Sequence, residues 1–232
     1  MRLVHKASNS KLQASRKLQT SLVLGVWCLQ FTFGLSAQTK PLYENNFEKT
    51  EVGKVPNDFL VLDGAFVVKE QSGNRFLELP GAPLDSFATQ FGPAVTSDVA
   101  VSARIRGTSK GRRYPTFGVG LNGVAGYRLQ VSPAKKLLEL YKDQEVQASV
   151  AYDWASGQWA TLHLQVRKVK DGEWKVEAKA WTQGQPEPQQ WMIVVEQKTE
   201  PLAGRASVFG SPFSGTPIQF DDLILSAVQP KQ

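Results

Sequence analysis

Two glycines in one extended segment are the first feature with a chemical consequence. In Thr116-Phe117-Gly118-Val119-Gly120-Leu121-Asn122, the apolar residues Phe117, Val119 and Leu121 alternate with Gly118 and Gly120. A strand sends successive side chains to opposite faces, so the glycines belong to the face turned away from the core. Glycine inside a strand often marks a bend or the close approach of another group. Arg104, Arg106, Arg128 and Gln130 project from the polar faces of other alternating segments, as do Glu139 and Tyr141. Planar donors and an aromatic ring beside a glycine floor suit the hydroxyls and ring faces of a sugar. Arg104, Gly118, Gly120, Arg128, Gln130 and Tyr141 therefore form a candidate ligand surface. Trp181, which with Trp191 flanks a loop carrying Pro186 and Pro188, joins it as a stacking platform. The same pattern also describes an ordinary solvated sheet whose glycines only permit curvature, and both readings stand at this point.

Other groups offer less. Glu139, Asp143 and Glu145 straddle an expected turn after Tyr141 and read as solvated turn charges. Gly107-Thr108-Ser109-Lys110-Gly111 matches the spacing of a nucleophile elbow, but that motif works only between a strand and a helix. Here Arg112-Arg113-Tyr114-Pro115 follows, and a β-turn loop is expected instead. His163 lies among polar-face residues without a second histidine or a cysteine to complete a metal site or triad, so it is expected at the surface. Glu48, Asp221 and Asp222 would supply hard oxygen ligands for calcium if the terminal strands pair.

These residues are positioned by segments with a two-residue period. Val99, Val101, Ala103 and Ile105 alternate with polar neighbours, as do Tyr127, Leu129 and Val131, then Leu162, Leu164 and Val166, then Trp174, Val176 and Ala178. Shorter extended stretches are expected at 59–62, 66–70, 75–79, 87–91, 137–141, 146–152, 192–196, 206–209 and 218–225. Asp63-Gly64, Ser72-Gly73-Asn74, Asn122-Gly123, Ser156-Gly157 and Asp171-Gly172 punctuate them as turns. Many short strands with no helical period indicate an all-β fold, and one-sided alternation favours a two-sheet antiparallel β-sandwich.

The first 37 residues stand apart. Arg2, Lys6, Lys11, Arg16 and Lys17 make a basic head, the apolar run 22–29 follows, and Gly34, Ser36 and Ala37 provide a small-residue exit. This is the pattern of a secretory signal peptide cleaved near Ser36 or Ala37, with an uncleaved anchor as the alternative and the only contact with a membrane. Export to the periplasm or the extracellular space is expected, leaving residues 38–232 as one sandwich domain. Five of the 27 basic residues lie in the segment and all 21 acidic ones lie after it, so 22 basic groups face 21 acidic ones. That balance excludes the concentrated basic face of a nucleic-acid binder. The single cysteine, Cys28, also lies in the segment, so the domain depends on its core rather than on disulfides.

The order of features resembles the concanavalin A-like lectin/glucanase superfamily, including laminin-G-like domains. The opening Leu42-Tyr43-Glu44-Asn45-Asn46-Phe47-Glu48 is similar to the start of many exported jelly-roll modules. Gly157-Gln158-Trp159-Ala160-Thr161-Leu162 is similar to a tryptophan-led laminin-G strand, and Phe220-Asp221-Asp222-Leu223-Ile224-Leu225 to the closing strand. The resemblance implies a jelly-roll sandwich, and structural calcium held by a first-strand glutamate and a last-strand aspartate. Laminarinase-type members carry Glu-x-Asp-x-x-Glu on one strand, and this chain has no such triplet. A non-catalytic module binding glycan, or packing against envelope or matrix components, is the expectation. A glycoside-cleaving hydrolase, either laminarinase-like or like the 3-keto-disaccharide hydrolases, is one alternative, and a structural or protein-interaction domain is the other.

Overall fold

A computed structural model describes residues 40–82 and 85–228. The signal, anchor and Cys28 readings lie outside the described residues. Fifteen strands follow in chain order: β1 Tyr43–Asn45, β2 Leu60–Asp63, β3 Val67–Gln71, β4 Asn74–Leu79, β5 Phe87–Val95, β6 Val99–Arg106, β7 Thr116–Leu121 and β8 Tyr127–Ser132. Then come β9 Leu137–Lys142, β10 Glu145–Ala151, β11 Trp159–Lys170, β12 Glu173–Thr182, β13 Ile193–Gln197, β14 Gly204–Ser211 and β15 Ile218–Ala227. No helix occurs among the described residues.

The strands form two antiparallel sheets. One has eight strands in the order β13-β12-β11-β6-β15-β4-β3, with β1 also on β15. The other has seven, in the order β10-β9-β8-β7-β14-β5-β2. Three hairpins in succession, β7 to β10, build four strands of the seven-stranded sheet, and the 107–115 segment carries the chain into it from β6 in the other sheet. The terminal strands pair as expected, with Tyr43 opposite Leu225 and Asn45 opposite Leu223.

The periodicity sets the core. Val101, Ala103, Ile105, Leu162, Leu164, Val176 and Ala178 of one sheet are buried against Phe117, Val119, Leu121, Leu129, Val131, Leu138 and Leu140 of the other. Each of the Val, Leu, Ile and Phe side chains removed from water contributes about 1.5–3 kcal/mol, which is how a domain without cysteine holds together. Turn chemistry agrees with the hairpins. Asn122-Gly123, Gly157 and Gly172 all take positive φ, and Lys110 and Arg113 bridge within the 107–115 loop, so the Gly-x-Ser-x-Gly match is a turn.

Candidate functional site

The outer face of the seven-stranded sheet gathers five of the seven predicted ligand residues. Ladder pairing places Gln90, Ser207, Gly120, Arg128 and Tyr141 in one row across β5, β14, β7, β8 and β9. The next row runs Ala88, Phe209, Gly118, Gln130, Glu139 and Ser149. The Arg128 guanidinium carbon lies 5.5 Å from the Tyr141 ring centroid and 5.6 Å from that of Phe209. Nη2 of Arg128 donates to the Asp143 carbonyl at 3.0 Å, and its buried Nε has no partner. Beside it, Gln130 donates to Ser132 (2.9 Å), Ser132 donates to Glu139 (2.5 Å) and Lys135 donates to Glu139 (3.0 Å).

Glu139 corrects one expectation. It is 3% exposed on β9 rather than a solvated turn charge. Burial alone would push its carboxyl upward, but hydrogen bonds from Ser132, Lys135 and Tyr141 outweigh that and hold it below the usual carboxylate range. Its oxygens are occupied as hydrogen-bond acceptors by these neighbours.

The glycines also mean something different from a bare floor. A Cβ at Gly118 would overlap the Leu129 carbonyl oxygen and come within 2.6 Å of the Phe209 ring; one at Gly120 would overlap the Ser207 hydroxyl. The close approach that glycine permits is therefore made by the protein's own β8 and β14. Phe209 and Arg128 cover the glycines, and the surface presented outward is Arg128, Gln130 and Tyr141, all half-buried.

Arg104 and Trp181 are elsewhere. Both lie on the outer face of the eight-stranded sheet, where Thr161 stands opposite Arg104 on one side and Trp181 on the other. Arg104 and Arg106 stack on Trp159 at 5.3 and 5.0 Å, and Arg106 donates to Gln219 (2.6 Å) and Gln71 (2.9 Å). The predicted surface is thus two surfaces on opposite sides of the sandwich. Trp191 joins neither as an open platform, because its ring packs at 5.3 Å against His163 and 4.6 Å from Lys179.

The calcium set is only partly assembled. Glu48 lies beyond the end of β1, and its side chain accepts from the Arg75 amide (2.9 Å). Asp221 accepts from Asn74 (3.1 Å) and Arg104 (2.8 Å), while Asp222 pairs with Arg104 at 2.7 Å. A guanidinium already stands between the two aspartates, and among the described residues no three acidic, histidine or cysteine side chains converge as metal ligands. As arranged, these residues do not fit a calcium ion. Burial pushes the Asp221 carboxyl upward, with Asn74, the Asp222 amide and Arg104 opposing that rise.

His163 is on the polar side of β11, as its parity requires, but the 183–192 segment covers it. Its Nε2 is buried without a partner, and Nδ1 is 3.8 Å from Glu187. Burial lowers its pKa to about 4, with Glu187 opposing and Lys179 assisting. Because the folded value lies below the unfolded value of about 6.5, neutral His163 stabilises the fold above that pH. The contribution is lost as pH falls through 6.5 towards 4. Urea titrations should show wild type losing on the order of 2–3 kcal/mol more than His163→Gln between pH 7 and pH 4. An equal loss in both proteins would remove His163 as the cause.

No family model and no curated protein matches the chain. Solved structures of similar shape do. The carbohydrate-binding module CBM66 from Bacillus subtilis matches with a TM-score of 0.52 at 10% identity, over 73% of this chain and 96% of that one. A Bacillus subtilis protein of unknown function with a galectin-like fold gives 0.56 at 11% identity, over 83% and 100%. The exoplasmic/lumenal domain of VIP36 in its Ca2+/Man-bound form gives 0.57 at 9% identity, over 84% and 93%. At these identities the likeness is one of fold: a lectin-type, galectin-like β-sandwich.

Proposed function

We propose that this protein is an exported, non-catalytic glycan-binding module whose ligand lies on the outer face of the seven-stranded sheet. One observation carries the choice of face. Arg128 is held between Tyr141 and Phe209, and among the described residues no carboxylate lies within ion-pair distance of it. On the other face Arg104 is neutralised by Asp221 and Asp222, and Arg106 engages two glutamines through two of its nitrogens, whereas Arg128 donates through Nη2 alone, to the Asp143 carbonyl and the Gln144 side chain. Arg128 therefore keeps donors for an external acceptor, in an orientation fixed before the ligand arrives. The Gln130 carbonyl oxygen supplies an acceptor in the adjacent row, its amide group oriented through Ser132 on the buried Glu139, and the Tyr141 ring offers an apolar surface to the faces of a sugar. The neighbours described as carbohydrate-binding or carbohydrate-recognition domains support the ligand class. Export rests on the basic head, apolar run and small-residue exit of residues 1–37.

Titration calorimetry with a glycan selected from an array checks the reading. A hydrogen bond from a charged donor contributes about 1.5–3 kcal/mol, so Arg128→Gln should weaken binding at least tenfold. Unchanged affinity in that variant would sink the assignment. The lectin-fold neighbours include Ca2+-bound forms, but Arg104 holds both aspartates here, so the reading includes no calcium ion. Adding EDTA should move the melting temperature by less than about 1 °C, whereas loss of a tightly held ion costs several kcal/mol. A fall of several degrees, reversed by calcium, would contradict the Arg104 assignment.

A further inference from the structure

We propose that the cleft between residues 46–58 and the bulge of β15 is a second sugar site, one that takes the end of a neutral oligosaccharide. It rests on the glycan-binding reading above but uses none of the same residues. The cleft has a volume of about 780 Å³, within the usual range of about 300–1,000 Å³ for small-molecule sites. One wall is the start of β1, another is the 46–58 loop, and the third is Asp222, Leu223 and Ile224 of β15.

The third wall has a specific cause. Pairing of β15 with β6 slips between Asp221 and Ile224, and Asp222 takes φ 46°, a left-handed conformation uncommon among non-glycine residues but more accessible to aspartate than to most. Arg104 pairs with both Asp221 and Asp222 across this bulge. Asp222 is thereby turned to the cleft instead of continuing the alternation of the strand.

The lining selects the ligand class. Glu51 is paired with Lys54 at 2.6 Å and the single charge of Arg104 is shared by Asp221 and Asp222, so with Glu44 and Asp58 against Lys49 the lining is modestly acidic. An acidic rim disfavours a phosphate, a sulfate or a sulfated sugar. Asn45, Asn46 and Asn57 add amide groups, and Glu44, Lys49 and Asn57 have no side-chain partner among the described residues. Donors and acceptors of both kinds at close spacing suit adjacent hydroxyls, each of which donates and accepts. Val55, half-buried, and Ile224, exposed, are the apolar side chains that the lining offers to the C–H surface of one ring, while Pro56 and Leu223 are buried behind it. No Trp, Tyr or Phe lines the cleft, so it lacks the large anchor pocket on which peptide recognition depends. β15 belongs to the eight-stranded sheet, so the cleft and Arg128 are on different sheets, and one molecule could engage two glycan chains.

The test is a nitrogen-15 NMR titration of the processed domain with a neutral oligosaccharide that binds on the array, beside a sulfated oligosaccharide of the same length. Saturable shifts are expected at the amides of residues 44–46, 49–58 and 222–224, in addition to β7–β9. Glu44→Ala combined with Asn57→Ala should weaken the first set about fivefold and leave the β7–β9 shifts unchanged. Shifts confined to β7–β9 would overturn the second site and keep the first. Shifts in neither region would overturn both, and tighter filling of the cleft by the sulfated sugar would overturn its assignment to neutral ligands.

Discussion

Arg104→Ala should lower the stability of the domain by roughly 2–4 kcal/mol. Asp221 is 1% exposed, and Arg104 is its only cationic partner among the described residues. Removing one member of a buried pair leaves the other charge without compensation, which commonly costs about 3–5 kcal/mol. Asn74 and the Asp222 amide still donate to Asp221, which places the effect towards the lower end of that range. For a domain of this size each kcal/mol is worth about 2–4 °C, so the melting temperature should fall by roughly 5–15 °C. Adding Asp221→Asn to Arg104→Ala should restore about half of the loss, because the buried charge then disappears. A single-variant loss below about 1 kcal/mol would show that Arg104 does not hold this bulge.

Gly118→Val should be at least as damaging. The first carbon of any side chain there meets the Leu129 carbonyl oxygen, which is backbone in the adjacent strand and cannot rotate away. Overpacking a filled site costs about 1–3 kcal/mol when side chains can adjust, and more when a ladder must open. Gly172→Ala is the control, since nothing lies within 4 Å of a Cβ there and only its φ of +74° opposes substitution. Chemical denaturation should show about 1 kcal/mol for the control and 3 kcal/mol or more for Gly118→Val. Removing the Phe209 ring should return only part of that difference. Similar losses at both positions would mean that the neighbouring strand gives way and that close packing does not require a glycine at 118.

Much of the fold was legible in alternation alone. Phe117, Val119 and Leu121, or Leu162, Leu164 and Val166, declare their buried side because a half-solvated sheet permits nothing else. The turn at Asn122-Gly123 also makes β7 and β8 neighbours, so Gly118, Gly120, Arg128 and Gln130 follow as one patch. What alternation does not supply is the sheet to which a strand belongs. Arg104 and Arg128 both face outward, yet β6 pairs with β11 and β15, which lie far along the chain, and so faces away from β8. That partnership depends on how two whole sheets close, not on any residue near Arg104.

Side-chain cover was hidden for the same reason. His163 has the parity of a surface residue, but a later loop lays Trp191 across it. Glu139 has the composition of a turn charge, but the meander surrounds it with Ser132, Lys135 and Tyr141. The bulge at Asp222 leaves a trace in the sequence, since two consecutive aspartates interrupt an apolar alternation in the final strand. It becomes legible as a cleft wall only when residues 46–58 are placed beside it.

The face that carries the ligand can be decided by comparing two variants, Tyr141→Ala on the seven-stranded sheet and Arg106→Gln on the eight-stranded one, in titrations with the same glycan. Binding should weaken at least tenfold in Tyr141→Ala and stay within about twofold of wild type in Arg106→Gln, with both proteins folded. A tenfold loss in Arg106→Gln with Tyr141→Ala unaffected would contradict the assignment and move the ligand to the opposite side of the sandwich.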